Sequence, residues 1–293
     1  MCKLFIEEVL GCSASNCRKG LYGDTNAYYG TVEQQGRLTL HLHMLIWIKG
    51  VMSPQDVRDN ILDPKSNFQK RMVEWLEGCH MGELFNSLQS EVQAQVENKK
   101  TKPGYVDPTK ILPVAPPNEC TVQLAHENCP MCNDTQTWHQ TYQEMVDDLI
   151  VRSNVHNCEK YINKDRSTNK NKTYTGCKEN KYNKCKARFP RPTFTETQVD
   201  PESGAVRLKK GEPWINTFTV ALTYVMRCNT DVTNLSSGMA IKAVILYVSN
   251  YITKTPLKTH MIFEVIRDMF DKSTEMLASP ISNQEKARRQ AML

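Results

Sequence analysis

An α+β fold is what this sequence predicts: an antiparallel sheet carrying a His-x-His strand, packed by helices, with a Cys/His-rich basic insertion. Three observations carry that expectation. "RLTLHLHMLIWIKG", Arg37 to Gly50, alternates with the period of two that a strand requires. "SPQDVRDNILD" and "NFQKRMVEWLEGC" carry the helical period instead. Cysteines and histidines gather in two places, one of them around a run rich in Lys and Arg.

In order along the chain, the first ten residues read as the end of an amphipathic helix, and "GCSASNCRKGLYGDTN" as loop. Tyr28 to Gln34 reads as a strand, Gln35-Gly36 as a turn and Leu38 to Ile48 as a longer strand. Ser53 and Pro54 form a helix start, as N-cap and first helical residue. The next helix places Phe68, Met72, Trp75 and Leu76 on one face. Residues 99–120 hold five prolines and read as a linker. After "CTVQLAHENCPMC" a helix is expected from about Trp138 to Arg152. "TFTETQVDPESGAVRLKKGEP" reads as two strands around an Asp-Pro-Glu-Ser-Gly turn. Helical patterns follow at Ser237 to Lys254 and about Leu257 to Leu277. The expected division is 1–98 with the His-x-His strand, a Pro/Cys-rich linker 99–137, a basic Cys/His block 138–195, and 196–293.

A chain of 293 residues holds one large domain or two ordinary ones. The formal net charge of +5 is compatible with a polyanionic partner without demanding one. The charge is concentrated between Lys160 and Arg191, "KYINKDRSTNKNKTYTGCKENKYNKCKARFPR", where aromatic residues are interspersed as on a phosphate-facing surface. Glu7 and Glu8 interrupt the apolar N-terminus, which makes a poor signal peptide. No apolar run approaches the roughly 20 residues that span a bilayer. A reducing intracellular compartment is expected, and the eleven cysteines are then metal ligands or buried thiols rather than disulfides.

Alternation puts Leu38, Leu40, Leu42, Met44, Ile46 and Ile48 on one face of the long strand, which the pattern assigns to the core. His41 and His43 share the other face. Positions i and i+2 lie about 7 Å apart, close enough for two imidazoles to converge on one divalent ion. Glu33 and Gln35, just before the turn, are candidate oxygen ligands. Two ordinary histidines on a half-exposed strand would read the same way. In "MAIKAVILYVSNYITKT", Tyr247 and Tyr251 are neighbours on one helical face, and Lys254 falls on that face too. Val244, Ile245, Val248 and Ile252 belong to a different, core-facing stripe. A free phenol with a pKa near ~10 is a poor nucleophile, and a nearby cation favours the phenolate. Such a pair otherwise serves in packing. His156, Cys158, Cys177 and Cys185 flank the basic run; four soft ligands in a segment too polar for a core suggest either a structural Zn²⁺ or buried free thiols. Cys120, Cys129 and Cys132, with His126 or His139, form a second cluster with a Cys-x-x-Cys knuckle, or else a loop with incidental thiols.

Together, the His-x-His strand and the later Tyr-x-x-x-Tyr helix resemble the HUH endonucleases, the replication initiator and relaxase superfamily, and in particular the Rep-like domain of fungal Helitron transposons. "GLYGDTNAYYGTVEQQGRLTLHLHMLIWIKG", "VDDLIVRSNVHNC", "KCKARFPRPTF", "RCNTDVTNL" and "ILYVSNYITK" are similar to that family's blocks in the same order, from about Gly20 to Phe270. The resemblance implies that His41 and His43 hold Mg²⁺ or Mn²⁺ against a scissile phosphate, with Glu33 or Gln35 as third ligand. It implies that Tyr247 and Tyr251 attack single-stranded DNA and retain its 5′-phosphate, with Lys254 neutralising charge. It further implies nuclear localisation, no membrane association, and a helicase domain in full-length relatives. No G-x-x-x-x-G-K-[ST] pattern occurs, so the sequence reads as a truncated N-terminal region without that helicase half. Asn250 stands where many relatives carry a basic residue. A catalytically inactive, zinc-stabilised nucleic-acid-binding fragment is the alternative.

Overall fold

The computed structural model describes residues 2–13, 18–34, 40–63, 65–85, 88–118, 120, 129–158, 161–164, 171–174, 176–178, 180–235 and 267. Mixed helices and small antiparallel sheets make the fold α+β, and the chain divides into two compact units. One comprises Met1–Gln69, Asp200–Ala205 and Asn234–Leu293; the other comprises Lys70–Val199 and Val206–Thr233.

The first unit opens with α1 (Cys2–Leu4), which continues as a π-helical turn over Phe5–Val9. Phe5 and Leu10 are buried there. Gly20 packs so closely on this turn that a Cβ would lie 2.5 Å from the Leu10 carbonyl oxygen. β1 (Thr25–Gln34) then pairs antiparallel with β2 (Leu40–Ile48), in a register that sets Glu33 opposite His41 and Thr31 opposite His43. The expected first strand is thus three residues longer at its start, and the Gln35-Gly36 turn lies outside the described residues. α2 (Pro54–Ile61) begins as expected, with the Ser53 hydroxyl accepting the Asp56 N–H at 3.2 Å. It buries Val57 and Ile61. The turn at 200–205 lies against this helix: Arg58 Nε donates to the Ser203 carbonyl at 2.9 Å, and Gly204, at φ +66°, leaves only 3.0 Å between a notional Cβ and Ile61 Cγ2.

One expectation is corrected here. The leucine face of β2 is not buried: Leu40 and Leu42 are 45 % and 37 % exposed, and Val32 beside them 51 %. On the other face His41 and His43 are half-buried, with 18 % of the His43 side chain exposed, while Trp47 stands 48 % exposed. Alternation identifies a face that favours cover, but the cover must come from another layer. Among the described residues, these side chains remain accessible.

The second unit is built on α3 (Phe68–Cys79), α4 (Gln89–Lys100) and the 24-residue α5 (Pro130–Ser153). α3 buries Leu76 and Cys79, while Trp75 stands 37 % exposed, off the stripe that its helical spacing predicts. α5 starts eight residues before the expected Trp138, because Pro130 occupies its first turn and Cys129 its N-cap. Val92 and Val96 of α4 meet Val146 and Ile150 of α5, with Ile215, Phe218 and Tyr224 completing the core. Each such side chain removed from water contributes about 1.5–3 kcal/mol. The buried Asp147 carboxylate accepts the Phe85 N–H at 3.0 Å, and buried Asp148 is paired with Arg152 and, at 3.6 Å, Lys99. α6 (Val220–Met226) ends at Arg227 in the left-handed conformation, φ 54°.

Two hairpins complete this unit. β3 (Tyr161–Lys164) pairs with β4 (Asn171–Tyr174), and β5 (Gln198–Val199) with β6 (Val206–Arg207), the latter as the Asp-Pro-Glu-Ser-Gly turn predicts. The helices expected at 237–254 and 257–277 lie outside the described residues, apart from Arg267, which is helical. No helix among the described residues is long and apolar enough to cross a membrane.

Candidate metal centres

His156, Cys158, Cys177 and Cys185 come together, as expected of four potential ligands in a segment too polar for a core. Their ligand atoms all lie within 4.8 Å of one another. His156 Nε2 is 3.2 Å from Cys177 Sγ and 3.3 Å from Cys185 Sγ, and the two sulfurs are 3.4 Å apart. A tetrahedral ion with Zn–S near ~2.3 Å sets sulfurs roughly 3.8 Å apart, so a small expansion suffices. The donor set fits zinc.

Local chemistry explains the convergence. Asn154 caps α5, its N–H reaching the Ile150 carbonyl at 2.8 Å and its side-chain amide the Thr230 carbonyl at 2.9 Å. Two residues on, the His156 N–H donates to the Trp214 carbonyl at 2.8 Å, and the Arg191 N–H to Pro213 at 2.8 Å. The imidazole stacks on Phe189, with centroids 4.3 Å apart and planes 10° apart. Between the last two cysteines, Asn180 organises the loop. Its amide donates to the carbonyls of Cys177 at 3.2 Å and Lys184 at 2.7 Å, and its oxygen accepts the Tyr182 N–H at 3.0 Å. Asn180, Phe189 and Trp214 were not singled out from the sequence; only the density of Asn between the cysteines hinted at a turn.

The electrostatics favour metal-ready forms unevenly. Burial, with Arg191 adding to it, lowers the His156 pKa and keeps the ring neutral, as a ligand must be. Burial opposes ionisation of Cys185, but the amides of Phe189 and Ala187 and the neighbouring thiols bring it below its ordinary value. Burial, with the thiols of Cys158 and Cys185 beside it, pushes Cys177 up to about 12. Around this knuckle Lys178, Lys181, Lys184, Lys186 and Arg188 are exposed, as is Tyr182 at 68 %, with Lys181 Nζ 4.8 Å from its ring centroid.

Cys120, Cys129 and Cys132 also gather within 4.8 Å. Cys129 is lowered to about 7, chiefly by the Cys132 amide at the start of α5. His139 is not their fourth partner. It is exposed and lies edge-on to Trp138 at 5.2 Å, about two turns along the helix from Cys132. His126 lies outside the described residues.

On the ribbon, His41 and His43 point to one side, with rings stacked at 6.5 Å and 24° between planes. Glu33 reaches diagonally so that its Oε2 stands 3.3 Å from His43 Nε2. His41 Nδ1 is buried and finds no hydrogen-bond partner among the described residues. Two imidazoles and a carboxylate suit a divalent cation, but they are more widely spread than the Cys/His sets. Gln35, Tyr247, Tyr251 and Lys254 lie outside the described residues.

Residues 1–46 match the family model described as "Helitron helicase-like domain at N-terminus". No curated protein and no solved structure matches the chain. The match covers β1 and β2 as far as Ile46, and so contains Glu33, His41 and His43. Residues 1–46 are thus similar to a Helitron helicase-like N-terminal domain, and that stretch includes most of the β1–β2 ribbon.

Proposed function

We propose that this protein nicks and rejoins single-stranded DNA in a metal-dependent reaction, as part of a rolling-circle transposition machinery. The observation that carries this is the placement of His41, His43 and Glu33 on one ribbon face, inside the segment that matches the Helitron family. Mg²⁺ or Mn²⁺ held there would withdraw charge from a phosphate oxygen. Glu33 orients His43, and His41 offers its buried Nδ1 side to a further hydrogen bond. Tyr247 or Tyr251 supplies the nucleophile: its phenol oxygen bonds to phosphorus, the P–O3′ bond breaks, and the 3′-oxygen leaves as a hydroxyl. Lys254 offsets phosphate charge. Because the phosphotyrosine conserves the phosphodiester, attack by another 3′-hydroxyl reverses the step. On this reading the work belongs in the nucleus, in concert with a helicase.

Covalent trapping tests this. Protein incubated with labelled single-stranded DNA and Mn²⁺, then denatured, should give a labelled protein band. Phe at Tyr247 or Tyr251 should weaken the band, and Phe at both should remove it. A band that survives the double substitution would assign the nucleophile elsewhere.

The exposed lysines and Tyr182 on the Cys/His knuckle favour a second reading, nucleic-acid binding without catalysis. Salt-dependent DNA binding with no covalent band under any metal condition would select it.

A further inference from the structure

We infer that Cys120, Cys129 and Cys132 form a second zinc centre, separate from the His156 knuckle, which staples the proline-rich segment 111–118 to the start of α5. The three sulfurs lie within 4.8 Å of one another, with Cys129 Sγ 3.9 Å from Cys120 Sγ. They come from two different pieces of chain. Cys129 is the N-cap of α5 and Cys132 lies in its first turn. Cys120 is brought to this turn from the end of the proline-rich segment.

That segment needs fastening. Pro113, Pro116 and Pro117 have no N–H to donate, so it cannot be held as a sheet strand would be. One clamp is visible at Val114. Its N–H donates to Tyr224 Oη at 3.1 Å, and its carbonyl accepts from Tyr224 Oη at 3.0 Å and from Trp138 Nε1 at 3.2 Å. Its side chain is 62 % exposed, so burial does little there. A metal at Cys120 supplies the second clamp, six residues on. Three thiolates in this arrangement suit zinc better than a hard cation. They leave one coordination position for a further donor.

The experiment counts zinc in the purified full chain and in three variants. Two zinc ions per chain are expected. Cys129→Ser with Cys132→Ser should leave one, Cys177→Ser with Cys185→Ser should leave one, and all four together none. Cobalt replacing zinc in the unsubstituted chain should show thiolate-to-metal absorption for six sulfurs rather than three. Hydrogen exchange over 111–120 should speed up at least about tenfold in Cys120→Ser, while exchange over 177–191 stays unchanged. A single zinc in the unsubstituted chain, lost with Cys177 and Cys185, would overturn the inference. So would a cobalt spectrum of three thiolates, which needs no variant to fold. None of these readings depends on DNA cleavage.

Discussion

The Cys/His knuckle and the His-x-His ribbon draw on the same kinds of residue yet differ in how far the protein alone assembles the site. In the knuckle four donors already stand within 4.8 Å, held by Asn180, by the stacked Phe189 and by backbone bonds to Pro213 and Trp214. In the ribbon the two imidazoles stack at 6.5 Å with 24° between planes, and Glu33 closes on one of them. A loop can wrap donors round a point from several directions. Adjacent positions on one strand face project in parallel and converge only when another group meets them from above. The knuckle is therefore a site whose geometry anticipates an ion for stability. The ribbon's donors are not gathered in that way.

Stripping metal separates the two most sharply. Structural zinc in small cysteine-rich segments is worth on the order of 10 kcal/mol of binding. A strong chelator, or Cys185→Ser, should therefore unravel 156–191, seen as rapid proteolysis in that basic stretch. The same treatment should leave proteolysis of β1 and β2 unchanged. Equal protection with and without the chelator would mean that hydrogen bonds alone hold the knuckle.

Replacing His41 and His43 by Ala should do the reverse. Cleavage of single-stranded DNA should fall on the order of 100-fold or more, while circular dichroism and zinc content stay as before. Cleavage at the original rate would remove the ribbon from the mechanism.

Sequence pattern announced the two sites to different depths for a physical reason. A period of two places His41 and His43 on one side without reference to anything else. Ser53 and Pro54 likewise act within one turn. The knuckle's ligands were readable because Cys and His stand out in a polar segment, but Asn180 and Phe189 act through loop conformation and a stacked ring, which no periodicity records. α4 was missed because Val92 and Val96 are its only strong apolar signal, although both are buried. α6, "VALTYVM", is short and rich in β-branched residues, so its local preference runs against its helical state. The hairpin of β3 and β4 is too polar to show alternation at all.

The support behind His156 gives a smaller effect. Phe189 is buried and stacks on the imidazole on one side of the chain of rings that leads to Trp214, 6.4 Å away and 7° from parallel. Phe189→Leu keeps an apolar side chain but removes the flat surface that fixes the ligand's plane. Zinc affinity, read by competition with a chromophoric chelator, should weaken about 10-fold, the lower end of what outer contacts to a metal ligand contribute. An unchanged affinity would place all the preorganisation in the backbone bonds to Pro213 and Trp214.

The smallest expected effect bears on the ribbon's other face. Leu40 and Leu42 follow an alternation that assigns them to a core, and Val32 pairs with Leu42 across the ribbon, yet the three are 45 %, 37 % and 51 % exposed. Val32→Thr is nearly isosteric and keeps the β-branching that suits a strand, so it isolates the question of cover. For a side chain this accessible, the change should fall within about 0.5 kcal/mol in urea unfolding, with no change in slope. For a packed position the same hydroxyl would be buried without a partner and would cost about 1–3 kcal/mol. A loss of that size would show that the leucine face is covered in the folded protein.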